Sequence, residues 1–325
     1  MTTGTGDGDS PGVSPDDAFA VLGDETRLAI LRTLGNADTP LAFSELYDRI
    51  GYDTTSNFNY HLGRLEGHFV RRTEAGYDLR QAGRRIVEAV LSGAVTDAPE
   101  LEPTRIDVDC PLCGARTAVD YEQERVDIYC TSCSGIFGTV DTIPHLSAPG
   151  EYGSLGHMSL PPAGLRGRTA AELLGAAWAW SYLEFIARGS GLCPRCSAPV
   201  EQSVTVCEDH EETDDACDSC GRTYAVHFHT SCTNCIDDWH GIVPGLLLGT
   251  TDLQAFLAAN GINLIAPDTL DRAMRTLGNY EEEVVSTDPF EARFTFTIDG
   301  DALALTIDED LSVVDVTRSP PDETG

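Results

Sequence analysis

The sequence predicts an α+β chain: a helical N-terminal domain closed by a β-hairpin, a cysteine-rich middle around one long helix, and a small antiparallel sheet with short helices at the C-terminal end. Three observations predict it. Apolar residues recur at helical spacing up to residue 93, with a hairpin pattern inside that stretch. Ten of the 11 cysteines fall in five Cys-x-x-Cys pairs between residues 110 and 235. Beyond residue 290, apolar and polar residues alternate, as in strands lying half-buried on a core.

Residues 1–15 are rich in Thr, Gly, Ser and Asp, with neither a basic start nor an apolar stretch. They read as a disordered tail rather than a signal peptide. Residues 16–93 form the first domain. Asp24 caps a helix running through Gly35, with Leu28, Leu31 and Leu34 on one face. A short helix from Phe43 to Ile50 follows, then a turn at Gly51. The next helix begins at Thr54 or Thr55 and runs to about Glu66, with Phe58, Leu62 and Leu65 as its buried stripe. Its other face presents Thr55, Ser56, Asn57, Asn59, Tyr60, His61 and Arg64, side chains that can hydrogen-bond base edges from the major groove. Residues 69–73 and 77–79 make a hairpin carrying Arg71 and Arg72, and a last helix covers residues 80–91. Within residues 64–85, six Arg stand against three acidic residues, the one basic island of the chain. Phosphate binding accounts for such an island.

Residues 22–32, Leu-Gly-Asp-Glu-Thr-Arg-Leu-Ala-Ile-Leu-Arg, resemble the opening of ArsR-type winged helix-turn-helix transcriptional regulators. Residues 56–62, Ser-Asn-Phe-Asn-Tyr-His-Leu, together with Leu65 resemble their recognition helix. The similarity covers about a quarter of the chain. It implies double-stranded DNA as partner, with residues 54–66 in the major groove and the Arg71–Arg72 wing on phosphates or the minor groove. It also implies a homodimer joined through the first and last helices of the domain, here residues 16–22 and 80–91. Metal-sensing members carry cysteines in the first helix of the reading motif. Residues 1–109 contain none, which excludes an arsenic-type sensor in that position. A winged helix used only for protein contacts is the other reading.

A linker with Pro99 and Pro103 is expected over residues 94–106. Residues 107–145 read as a zinc ribbon: Cys110 and Cys113, then 16 residues with strand-like alternation, then Cys130 and Cys133. Paired thiolates two residues apart form a tight knuckle that suits tetrahedral Zn²⁺. Residues 146–190 form a connecting segment and the long helix, opened by the capping box Thr169-x-x-Glu172. That helix carries Leu173, Leu174, Trp178, Leu183, Phe185 and Ile186, an apolar stretch of about 14 residues interrupted by Glu184 and too short to span a bilayer. It reads as a core or interface helix; a ligand pocket beside its tryptophans is the lesser reading.

Residues 191–240 read as a double zinc-knuckle module. The ligands are Cys193, Cys196, Cys207, His210, Cys217, Cys220, Cys232 and Cys235. Counting His210 makes twelve donors in all, enough for three closed and therefore structural Zn²⁺ sites. Gaps of ten and eleven residues suggest consecutive pairing, 193/196 with 207/210 and 217/220 with 232/235. Interleaved pairing remains open, as does a four-cysteine site from 193, 196, 217 and 220 with Cys207 free. His227, His229 and His240 are left unassigned. Residues 241–318 carry helices and a β-meander: Phe294, Phe296 and Ile298, an Asp299-Gly300 turn, Leu303, Leu305 and Ile307, and a strand over 311–316. Residues 319–325 read as a disordered tail.

The chain has 53 acidic residues against 21 basic ones, all of them Arg, and a net charge of −32 spread along its length. This composition resembles that of haloarchaeal proteins adapted to molar salt. There the Debye length is about 3 Å, so net charge does not repel DNA at useful range. No apolar run reaches membrane length, and cysteines without an export signal read as metal ligands in a cytoplasmic chain. The expectation is a sequence-specific DNA-binding transcriptional regulator with structural zinc modules. A winged helix followed by a zinc ribbon also resembles the archaeal homologue of general factor E, which implies the transcription machinery as partner. A redox sensor with labile Cys207 and His210 is a further alternative. An enzyme is not expected, because no nucleophile–base pair, phosphate-cradling loop or open metal site is visible.

Overall fold

The computed structural model describes residues 14–211 and 216–319. Of the expected tails, residues 1–13 and 320–325 lie outside these. Ser14 and Pro15 are not tail, since Ser14 caps the first helix through the amide of Asp17. Ser319 likewise ends the last strand. The chain divides into two compact units, Met1–Asp97 and Ala98–Gly325.

The first unit is a winged helix. Its elements are α1 (Pro15–Leu22), α2 (Glu25–Gly35), α3 (Phe43–Ile50), α4 (Thr55–Leu65), the hairpin β1 (Val70–Thr73) and β2 (Gly76–Leu79), and α5 (Gln81–Leu91). Asp24 accepts from the Arg27 amide at 3.1 Å and so satisfies one of the orphan donors of α2. Gly51 ends α3 in the left-handed region, a turn that other residues enter only with strain. Phe58, Leu62 and Leu65 form the expected buried stripe of α4. On α2 the buried face is Ile30, Leu31 and Leu34, with Leu28 only half-buried. Leu41 exchanges both backbone hydrogen bonds with Tyr77, which fastens the hairpin to the segment before α3. Gly76, at φ +136°, lies where a Cβ would collide with the Leu41 carbonyl.

The second unit holds the remaining elements around one large core, with a smaller cluster of Ala118, Tyr129, Val140, Ala148 and Tyr152 beside it. A four-stranded antiparallel sheet in order β3-β4-β5-β6 comprises β3 (Leu101–Asp109), β4 (Arg116–Glu122), β5 (Arg125–Cys130) and β6 (Gly153–Ser159). The long helix α6 (Ala170–Gly189) follows, with the Thr169–Glu172 capping box in place. A three-stranded sheet in order β7-β8-β9 comes next, formed by β7 (Val200–Val206), β8 (Val226–Cys232) and β9 (Asp238–Ile242). Helices α7 (Pro244–Leu247), α8 (Thr251–Ala259) and α9 (Leu270–Gly278) then lead to a four-stranded meander. Its strands are β10 (Glu281–Thr287), β11 (Phe290–Ile298), β12 (Asp301–Asp308) and β13 (Val313–Ser319). Among the described residues, no helix is long and apolar enough to cross a membrane.

Three expectations change. The linker is shorter than 94–106, because β3 begins at Leu101 and pairs with β4. β3 is an edge strand, where Pro103 is tolerated, and the register shifts between Leu101 and Thr104. The regions expected as 107–145, 146–190, 191–240 and 241–318 are not separate modules. One hydrophobic cluster runs from Ile106 and Val119 through Leu174, Val226 and Phe256 to Ile307. The meander has a strand the sequence hid, β10, whose three successive Glu residues obscure its alternation. The last strand also starts later than expected, at Val313, after a turn in which Leu311 has φ +59°.

Candidate functional site

The twelve expected metal donors gather into three tetrads, and within each all four ligand atoms lie within 4.8 Å of one another. The first is Cys110, Cys113, Cys130 and Cys133, supplied by the ends of β3 and β5 and the turns that follow them. Its sulfurs stand 3.7 Å apart for Cys110–Cys133 and 3.4 Å for Cys113–Cys130. Amides of Ser132 and Cys133 donate to the Cys130 sulfur at 3.3 Å, as a knuckle turn requires.

The other two tetrads overturn the expected consecutive pairing. Cys193 and Cys196 meet Cys232 and Cys235, whereas Cys207 and His210 meet Cys217 and Cys220. The interleaved arrangement and the 193/196/217/220 site are corrected with it. The cause is the register of one hairpin: β7 pairs antiparallel with β8 from Val200↔Cys232 to Val206↔Val226. Its base therefore carries an outer tetrad and its tip an inner one. Gap lengths alone concealed this, because Val200, Val204 and Val206 alternate with polar residues and the whole of β7 is strand.

The donor sets fit zinc. A tetrahedron with Zn–S bonds of about 2.3 Å has edges of about 3.8 Å. The outer tetrad shows 3.6 Å for Cys193–Cys235 and 3.4 Å for Cys196–Cys232, and in the inner one Cys220 lies 3.6 Å from His210 Nδ1. His210 Nε2 donates to the Thr223 carbonyl at 3.2 Å, which fixes the tautomer that turns Nδ1 toward the sulfurs. Thr223 is a supporting residue that the sequence did not mark.

Thiols this crowded cannot all ionise side by side without a cation. The bond from Cys133 pulls Cys110 down to about 5 and pushes Cys133 up. Burial pushes Cys130 and Cys207 to about 11. The Ala198 amide draws Cys196 to about 6, and the Glu211 amide draws Cys217 to about 7. A divalent metal removes the conflict by taking all four donors deprotonated. With four protein donors apiece, the three sites are compatible with three structural zinc ions, and all eleven cysteines are unbridged.

On the winged helix, Thr55, Ser56, Asn57, Asn59, Tyr60 and Arg64 all stand exposed on α4, with Tyr60 60% accessible. His61 does not join them. It is 8% exposed and turned inward, its Nδ1 3.2 Å from an Asp24 carboxylate oxygen and its Nε2 3.4 Å from the Tyr52 hydroxyl. The Asn57 amide donates to that hydroxyl at 3.0 Å. His61 thus props the helix from behind. Asp24 was legible only as a cap, and Tyr52 was not marked at all.

Arg71 and Arg72 are exposed on β1. Arg71 makes two bonds to Asp78, at 3.1 and 2.5 Å, which hold that carboxyl below its usual range. Arg84 lies 3.4 Å from the same residue, and Arg80 donates to the Gly67 carbonyl. Among the described residues, Arg64, Arg72 and Arg85 have no carboxylate at ion-pair distance; Arg72 lies over the Tyr77 ring at 5.7 Å.

Comparison with known proteins gives two family matches. The family described as Domain of unknown function (DUF7347) matches residues 15–90, the winged helix, and Domain of unknown function (DUF7351) matches residues 107–313. No curated protein and no solved structure matches the chain. Since residues 107–313 are well over half of the 325 and carry all twelve metal donors, the chain belongs to the DUF7351 family.

Proposed function

We propose that the protein is a sequence-specific DNA-binding transcriptional regulator in which the zinc sites are structural. The observation that carries this reading is the open face of α4. It offers Ser56, Asn57, Asn59, Tyr60 and Arg64 to solvent, and Arg64, Arg72 of the wing and Arg85 of α5 lack carboxylate partners among the described residues. Such side chains can read base edges while the arginines hold phosphates. Where salt is molar, counterion release contributes little, so specificity falls on the hydrogen-bonding groups.

Dimerisation belongs to the same reading. Phe19 on α1 is 72% exposed and Leu91 on α5 is 43% exposed, apolar surface on the two helices that the ArsR-type resemblance assigns to an interface. The reading as a basal factor carries less weight, because the ribbon strands share one core with the rest of their unit rather than forming a separate module.

Genomic footprinting with the full chain tests the proposal. Asn59→Ala with Tyr60→Ala should erase protected sites while helicity and zinc content stay unchanged. Protection that survives the double substitution would sink it. His61→Ala is a poor test, since it removes a buried support and should weaken folding and binding together.

A further inference from the structure

The second unit contains a cavity of about 500 Å³ that none of its zinc sites uses. It lies among β5 and β6, α6, β8 and β9, α7 and α9. Its walls are mainly apolar and include five aromatic rings: Phe137, Trp178, Phe185, Phe228 and Trp239. The volume falls in the range of small-molecule sites, roughly 300–1,000 Å³. Phe137, Trp178, Phe185 and Trp239 are only half-buried, although the unit has a continuous core in which they could have been covered.

The rings are fixed rather than loose. Trp178 donates its indole N–H to the Leu264 carbonyl at 2.6 Å. Trp239 packs against His157 with ring centroids 4.5 Å apart and the planes tilted by 43°, and meets Phe185 edge-on at 5.8 Å, with the Arg188 guanidinium 5.0 Å from its ring. A preformed aromatic wall favours a rigid apolar guest, because no ordering is left to be done on binding.

The charges among the lining residues run against the rest of the chain. They include Arg125, Arg222 and one carboxylate, Asp127. Arg125 is already matched by Asp127 through two bonds of 2.7 and 2.6 Å. Burial, with Arg125 nearby, pushes His157 down to about 3, so it is neutral at ordinary pH, and burial also lowers His240. Arg222 is left with no carboxylate at ion-pair distance among the described residues. A chain of net charge −32 therefore lines its apolar cavity with an arginine, Arg222, that no carboxylate among the described residues matches.

We propose that this cavity is a binding site for a small apolar carboxylic acid, its hydrocarbon or ring portion against Trp178, Phe185 and Trp239 and its carboxylate on Arg222. The winged helix does not enter the proposal and no metal donor lines the cavity, although Arg222 belongs to the turn of the inner tetrad, where its carbonyl accepts from the Cys217 amide. Its test uses the full, zinc-loaded chain without DNA, so its outcome is independent of the DNA-binding reading.

The reporter probe is 1-anilinonaphthalene-8-sulfonate, itself an apolar anion, followed by displacement with octanoate, 4-phenylbutyrate and the neutral octanamide. We expect one saturable probe site per chain, quenching of tryptophan emission, and octanoate at least tenfold tighter than octanamide. Arg222→Gln should abolish that tenfold preference and leave octanamide unchanged. Ile143→Trp, which places a large ring at a half-buried lining position, should remove all three ligands. Unchanged zinc content and circular dichroism identify the variants as folded, and the wild-type series decides the matter even where a variant does not fold. Absence of a saturable site, equal affinity for octanoate and octanamide, or undiminished binding by folded Ile143→Trp would overturn the proposal.

Discussion

Glu282 sits on β10 with its carboxylate accepting from the amides of Ala225 and Val226 at 2.7 and 3.2 Å, while its second oxygen has no partner. Burial raises its pKa from 4.5 to about 7 despite those two bonds. The folded chain therefore holds this proton more tightly than the unfolded one. The associated stability is complete below about pH 4.5 and is lost as the pH rises through about 7. Glu282→Gln keeps an acceptor for both amides and carries no charge. It should raise stability at about pH 8, by about 3 kcal/mol at most, and change little near pH 4.5. Denaturant midpoints of both proteins at the two pH values check this. Single residues also mark where the sequence misleads. His61 lies at the shoulder of the apolar stripe on α4, and helical spacing alone cannot show that Asp24 and Tyr52 wait behind it.

At the scale of elements, most helices were legible because their signals are local. Asp24 caps α2, and at the start of α6 Thr169 and Glu172 cap each other through bonds of 3.4 and 2.8 Å. The α4 stripe and the β11–β12 turn follow from spacing and from Asp299-Gly300 in the same way. Strand pairing is non-local, and there the sequence said less. β3 hid behind two prolines, β10 behind three glutamates, and the partners in the 193–235 region behind equal-looking gaps. Donor identity was legible even so, because chemistry and spacing fix a knuckle within four residues, whereas its partner is chosen by a sheet.

The observed pairing makes a counting prediction. Cys196→Ser and Cys232→Ser should each lose the same zinc, so the double variant keeps two per chain. Cys196→Ser combined with His210→Ala should keep only one. Native mass spectrometry reads the counts directly, and the reverse pattern would restore consecutive pairing.

For the molecule as a whole, the sequence indicated four regions after the linker where the chain builds one. Composition and cysteine spacing mark segments, but a shared core is assembled from residues as distant as Ile106 and Ile307, and no local pattern reports it. The ribbon and the inner tetrad are also joined directly: Thr223 donates through its amide to the Ile136 carbonyl and through its hydroxyl to that of Gly135. Zinc should accordingly matter to one unit and not the other. Expressed separately, residues 98–325 should bind three zincs and lose cooperative thermal unfolding in a strong chelator. Residues 1–97, which hold no cysteine, should keep their helical circular dichroism under the same treatment. Each ion can stabilise a folded module by on the order of 10 kcal/mol, so loss should be all-or-none rather than a small shift in midpoint.

The β7–β8 hairpin also sets an order of assembly. Cys220 and His210 are 10 positions apart along the chain, whereas Cys196 and Cys232 are 36 apart. Closing the shorter ring first costs roughly 1 kcal/mol less chain entropy. Once it is shut, zipping Val206↔Val226 down to Val200↔Cys232 delivers the distant cysteines to one another with no further ring to close. Metal then enters tip before base. When zinc is scarce, the partly filled chains that accumulate are those with a sealed tip and an open, thiol-bearing base.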